Sequence, residues 1–158
     1  MVSKIKNERI NYHHEKKMKP IIIGFYGQSQ IGKTTLIEKL INDLSKQGHA
    51  IAAVKFSDKK IEVDTPGKDT SRFSQAGAKV VILSSATKTF IFQNSPSEEN
   101  KMLHDLQQMD WFDYIFIEGS HEKQIPKIRI GNIQERPNTI LTYNGDYASL
   151  LDRIQNNI

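Results

Sequence analysis

The chain has 158 residues, 37% hydrophobic and 25% charged, which supports one globular domain with a single core and excludes an extended disordered chain. It has no cysteine, which excludes disulfides and cysteine-held zinc or iron–sulfur sites and suits a reducing, cytoplasmic setting. The formal charge of +4 arises at one end, where Lys4, Lys6, Arg9, Lys16, Lys17 and Lys19 face only Glu8 and Glu15, and the remainder is balanced.

Residues 1–19 read as a basic, solvated leader ahead of a folded unit over residues 20–158, with the His13–His14 pair incidental rather than metal-binding. The leader lacks an apolar core, so no secretory signal is expected, and the longest pure apolar run, Ile21-Ile22-Ile23, is far too short for a membrane span. Residues 21–26 form a short, nearly all-apolar run, the pattern of a strand buried on both faces of a parallel sheet. A glycine-bearing turn follows, then a helix over 34–47 whose Leu36, Ile37, Leu40, Ile41 and Leu44 make one apolar stripe ended by Gly48. A second buried strand over 50–56 completes a strand–helix–strand unit. Next come a polar loop over 57–68 with the Pro66–Gly67 turn signal, a short helix over 69–75, and strands over 79–84 and 88–92 joined as a hairpin. Ser95-Pro96-Ser97-Glu98-Glu99 opens a helix that runs to about Met109. Residues 113–119 form another buried strand, ending in an acid and a glycine; strands over 127–130 and 139–143 and a helix over 147–155 close the chain. The fold class expected is α/β, a three-layer P-loop NTPase arrangement with a mostly parallel central sheet and helices on both faces.

The turn after the first strand, Gly27-Gln28-Ser29-Gln30-Ile31-Gly32-Lys33-Thr34, matches the pattern G-x-x-x-x-G-K-[ST] at every fixed position, and Thr35 continues it into the helix. Gly27 and Gly32 let backbone N–H groups turn inward toward phosphate oxygens. Lys33 can set its ammonium against the β- and γ-phosphates, the Thr34 hydroxyl can join a Mg²⁺ shell, and the helix dipole favours the same anion. Its place after a buried strand and before an amphipathic helix sets this apart from a chance glycine turn. Such a site needs a second acid near the metal. On the strand over 113–119, Asp113 lies at the wrong end of a parallel sheet, whereas Glu118 lies at the C-terminal end, where open α/β sheets bind ligands. Asp64 is a candidate switch residue, its alternative being a turn-forming Asp before Thr65–Pro66.

Three blocks make the chain resemble a known family, the molybdopterin-guanine dinucleotide biosynthesis protein B (MobB) family. They are Gly27–Leu40; Asp64-Thr65-Pro66-Gly67-Lys68-Asp69-Thr70-Ser71-Arg72 running on to Gln75-Ala76-Gly77-Ala78; and Glu118-Gly119 followed by Ile125-Pro126-Lys127-Ile128. The resemblance implies a dimeric GTP-binding protein with weak Mg²⁺-dependent GTPase activity that assists the molybdenum cofactor guanylyltransferase, with molybdopterin as a handled ligand. It also makes Lys68, Asp69 and Arg72 candidates for the nucleotide or cofactor face, with a solvated helix start as the other reading. The chain departs from the family pattern at Phe56, where histidines usually follow the Val-Lys of the second strand, and at Ser120 and His121, where an aromatic residue and a lysine are usual. Asp146, in Tyr143-Asn144-Gly145-Asp146, stands where a guanine contact is plausible, although Asn-Gly is also an ordinary turn signal and the turn is the favoured reading.

No water-activating base or arginine finger stands out, so slow hydrolysis is expected. The alternative function is a small-molecule kinase using ATP or GTP on the same loop, disfavoured by five scattered arginines and no lid segment. Nucleic acid binding through the leader is the weakest reading, because the body is neutral.

Overall fold

The computed structural model describes residues 19–57, 69–93, 98–109, 111–156 and 158. Its elements in chain order are β1 (Ile21–Gly27), α1 (Lys33–Lys46), β2 (Ile51–Lys55), α2 (Asp69–Gln75), β3 (Val80–Ser84), β4 (Thr89–Gln93), α3 (Glu99–Gln108), β5 (Tyr114–Glu118), β6 (Lys127–Ile130), β7 (Thr139–Tyr143) and α4 (Tyr147–Gln155). The apolar runs become the central strands: β1 and β5 pair in parallel over Ile21–Phe25 and Tyr114–Glu118. The sheet order is β2-β5-β1-β6-β7, and every pairing in it is parallel.

Both sheet faces are covered, as an all-parallel sheet requires. On one face, Leu36, Leu40 and Leu44 of α1 and Leu150 and Ile154 of α4 pack on Ile23, Phe25, Phe116, Ile128 and Ile130. On the other, Leu103 of α3 packs with Ala52, Ile115, Ile117 and Ile125. Strand alternation thus sends Ile23 and Phe25 to the first face and Gly24 and Tyr26 to the second. A polar clasp joins α4 to α1: the Tyr147 hydroxyl donates to Asp43 Oδ2 at 2.7 Å, and Lys39 Nζ lies 3.7 Å from the Tyr147 ring centre. Burial, and then the Asp43 carboxylate, push the Tyr147 phenol up from its ordinary value.

The predicted hairpin forms, but β3 and β4 make a separate two-stranded antiparallel sheet rather than joining the central one. The leader except Lys19, the loop over 58–68 and the Ser95–Ser97 helix start lie outside the described residues. Among the described residues, no helix is long and apolar enough to cross a membrane.

Candidate phosphate-binding site

The loop between β1 and α1 is shaped by close packing. A β-carbon on Gly27 would stand 2.4 Å from the carbonyl oxygen of Ile130 in β6, so only glycine lets the two strands leave the sheet side by side. Gly32 has φ +96°, a left-handed conformation that glycine adopts without strain, and it precedes α1 with no side-chain cap. The first helical bond runs from Leu36 N to Gly32 O at 3.0 Å. The amides of Lys33, Thr34 and Thr35 therefore have no intrahelical acceptor and form the positive end of the α1 dipole.

Glu118 ends β5, the strand beside β1, and its register partners are Phe25 on one side and Lys55 of β2 on the other. The Thr34 hydroxyl donates to Glu118 Oε2 at 2.8 Å, and Lys55 Nζ lies 3.5 Å from Oε1. Lys33 folds back on its own loop, donating to the carbonyls of Gly27 at 3.1 Å and Gln28 at 2.6 Å. These groups, with Ser29, Gln30, Gly32 and Thr35, line an open cleft of about 350 Å³. Two ammonium groups, a helix N-terminus and one carboxylate beside a hydroxyl are groups that could receive a polyphosphate with a hard cation. Thr34 and Glu118 suit Mg²⁺, which takes few protein oxygens and completes its shell with water and phosphate. Among the described residues there is no group of three or more His, Cys, Asp or Glu that would hold a metal without such a ligand.

Lys55 joins the cleft without belonging to the G-x-x-x-x-G-K-[ST] pattern; its signal in the sequence is a lysine ending an otherwise apolar strand. Asp113 lies at the opposite end of β5, where its Oδ2 accepts from Ala50 N at 2.8 Å and ties the start of β2 to β5. Asp69 and Arg72 sit one turn apart on α2, 3.7 Å from each other, and are not among the residues lining the cleft. Asp64 and Lys68 lie outside the described residues. Asp146 caps α4, its Oδ1 accepting from Ser149 N at 3.1 Å, while Asn144 Oδ1 accepts from Asp146 N at 3.0 Å. Both local readings of Tyr143–Asp146 thus share one place: an Asx turn whose residues also line a second cleft between β7 and α4, of about 170 Å³.

The departures from the family pattern are built into the frame behind the cleft. The Phe56 amide donates to Glu118 O at 2.9 Å, and its carbonyl lies 2.8 Å from where a β-carbon on Gly119 would stand. Gly119, at φ +87°, is thus required both by its conformation and by the approach of Phe56. Ser120 is buried; its hydroxyl donates to Glu99 Oε1, and the His121 amide donates to Glu99 Oε2 at 3.1 Å. Arg136 donates to Ser120 O at 3.2 Å and lies over the Tyr26 ring at 5.0 Å.

Lys127, 2% exposed, donates to the carbonyls of Glu122, Ile125 and Pro137, pinning the two loops that flank β6. Burial pushes its ammonium down from the ordinary lysine value, against the opposing pull of Glu99 and Glu122.

The chain matches the family model for molybdopterin guanine dinucleotide synthesis protein B over residues 22–149. The putative molybdopterin-guanine dinucleotide biosynthesis adapter protein of Methanocaldococcus jannaschii is 39% identical over 111 residues, covering 68% of this chain and 45% of that protein. The adapter protein of Escherichia coli is 35% identical over 116 residues, covering 72% and 66% respectively. The chain thus spans about half to two-thirds of the length of these curated relatives. Among solved structures, Bacillus subtilis MobB superposes with a TM-score of 0.65 at 22% identity, over 87% of this chain and 97% of that one, a likeness of fold.

Proposed function

The chain belongs to the molybdopterin guanine dinucleotide synthesis protein B family, and from that premise we propose that it is a GTP-binding accessory protein in molybdenum cofactor guanylylation. It would assist a guanylyltransferase in forming molybdopterin guanine dinucleotide. The observation that carries the reading is the convergence of Lys33, Thr34 and Glu118 at the N-terminus of α1. In this reading the fold is that of a P-loop NTPase. The amides of Gly32–Thr35 and the Lys33 ammonium receive the phosphates, while Thr34 and Glu118 hold Mg²⁺. Bound there, the metal would neutralise charge on the β- and γ-oxygens. Glu118 is held in place by the Thr34 hydroxyl, and Gly119 sets the backbone that presents it.

Turnover should be slow. None of the described arginines lines the cleft, and an arginine at the transferring phosphate is worth roughly 10³- to 10⁵-fold in rate. Preference for GTP over ATP is taken from the family, with Asp146 as the candidate guanine contact. Molybdopterin handling and a cytoplasmic setting follow from the same premise.

A homodimer is also proposed. It is supported by the hairpin, where Val80, Ile82, Leu83, Phe90 and Ile91 stay exposed on a two-stranded sheet, because an apolar patch of this kind on an isolated ribbon is what an interface covers.

The test is a reconstituted guanylylation reaction with a molybdenum cofactor guanylyltransferase, molybdopterin and GTP. Wild-type protein should raise the yield of dinucleotide cofactor and Lys33→Ala should not. Equal stimulation by both would remove the phosphate site from the role, and stimulation by neither would remove the accessory role itself.

A further inference from the structure

Among the charged side chains lining the cleft, one lysine has no part in the P-loop pattern. We infer that Lys55 is a second terminal-phosphate contact of this site, facing Lys33, held on Glu118 until a magnesium-bound triphosphate draws Glu118 away from it. The inference rests on the reading of the cleft as a nucleoside triphosphate site and adds a specificity-determining residue to it.

The placement comes from the sheet. Phe25, Glu118 and Lys55 are register partners across β1, β5 and β2, so they form one row at the C-terminal edge with their side chains on the same face. Strands lie about 4.8 Å apart. The loop amides and Lys33 therefore approach a bound polyphosphate from the β1 side, and Lys55 faces it from the far side of Glu118. The amides and Lys33 grip the part of the phosphate chain nearest α1. Lys55 reaches the end that projects across β5.

The charges of the cleft fit an exchange of partners. Glu118 is mostly buried, its side chain 14% exposed, and among the described residues it meets the Thr34 hydroxyl and the Lys55 ammonium. Lys55 is 62% exposed, and its 3.5 Å approach to Glu118 is an ion pair at the surface, a contact worth only a fraction of a kcal/mol up to about 1 kcal/mol and so easily given up. When Glu118 turns its charge to a divalent cation, Lys55 loses its counter-charge. Among the described residues no other carboxylate lines the cleft, so a terminal phosphate there would take the place of Glu118. A compact ammonium on a four-carbon stem can follow that change without backbone movement. Glu118 thereby links metal and phosphate recognition, and the site gains a means of telling a triphosphate from a diphosphate.

The simpler role, in which Lys55 only balances Glu118, makes a different prediction. Removing it would then affect both nucleotides alike, because both meet the same unbalanced carboxylate.

The experiment is calorimetric titration of the full chain with GTP and with GDP, each with Mg²⁺, for wild type, Lys55→Ala and Lys55→Gln, with thermal unfolding to confirm that each variant folds. Both variants should lose about tenfold to a hundredfold in GTP affinity, the range of a charge-assisted hydrogen bond, and less than about threefold in GDP affinity. Lys55→Arg should recover most of the GTP affinity. Equal loss for both nucleotides, or loss for neither, in a wild type that binds GTP would overturn the role of Lys55 and leave the site reading intact. A wild type that binds neither nucleotide would overturn the site reading, and this inference with it.

Discussion

Strand β5 and the β3–β4 hairpin have similar composition and opposite fates. In β5, Tyr114, Ile115, Phe116 and Ile117 are all buried, on alternating faces, because the strand lies between β2 and β1 with helices above and below. In the hairpin, Val81 is buried while its neighbours Val80 and Ile82 and the facing Ile91 are exposed. β-Branched and aromatic residues favour the extended chain in both places, but only a multi-stranded sheet covered on both sides removes them from water. The chemistry follows the same division. The cleft residues are carried by the loop after β1, the ends of β2 and β5 and the start of α1, whereas the hairpin presents exposed apolar surface.

The contrast can be broken most severely at its buried pole. Phe116 is 0% exposed and meets Phe25 edge to face at 5.6 Å, so Phe116→Ala should cost about 3–5 kcal/mol in urea unfolding. A cost under about 1 kcal/mol would mean the body is not packed as described. Next is Lys127→Met, which removes the donor from three carbonyls around a buried position. We expect about 2–4 kcal/mol, since buried polar groups left without partners cost about 1–3 kcal/mol each and relaxation recovers some of it. A neutral result would show that water or loop movement satisfies those carbonyls. Gly119→Ala forces a side chain into a left-handed backbone facing the Phe56 carbonyl. It should cost about 1–3 kcal/mol and weaken Mg²⁺-dependent nucleotide binding, because Glu118 precedes it. Unchanged binding would separate Glu118 from the geometry of its own turn. At the exposed pole, Ile82→Ser with Ile91→Ser alters two facing residues, Ile91 being 66% exposed. This pair should change the stability of the chain by no more than about 0.5 kcal/mol, while light scattering records a lower mass. A large loss of stability with no change in mass would make the hairpin part of the core and erase the contrast.

Local pattern carried much of this architecture. The apolar runs of β1 and β5 and the stripe of α1 each name their burial directly, and the position of Glu118 after four apolar residues marks it as a strand end. What the sequence could not display is strand order. Nothing local says that β5 enters the sheet between β1 and β2, yet that insertion makes Lys55 and Glu118 neighbours. Lys127 was equally hidden, because in Lys-Ile-Arg-Ile the alternation sets a lysine where solvent is expected. It is buried because the 122–126 loop and Pro137 close over it and supply acceptors. The burial of Ser120 depends likewise on Glu99, which is distant in sequence and brought to it by α3. The separate standing of the hairpin was also beyond local reading, since strand propensity says nothing of which sheet a strand will join.

We propose that the cleft at the start of α1 takes a nucleoside triphosphate, with guanine preferred. The most direct test is a Mg²⁺-dependent titration of GTP against ATP for wild type and Lys33→Ala. The account predicts tighter binding of GTP by the wild type and loss of that binding in the variant. Equal affinity for the two nucleotides, or a preference for ATP, would contradict the guanine assignment, and GTP binding unchanged by Lys33→Ala would contradict the site itself.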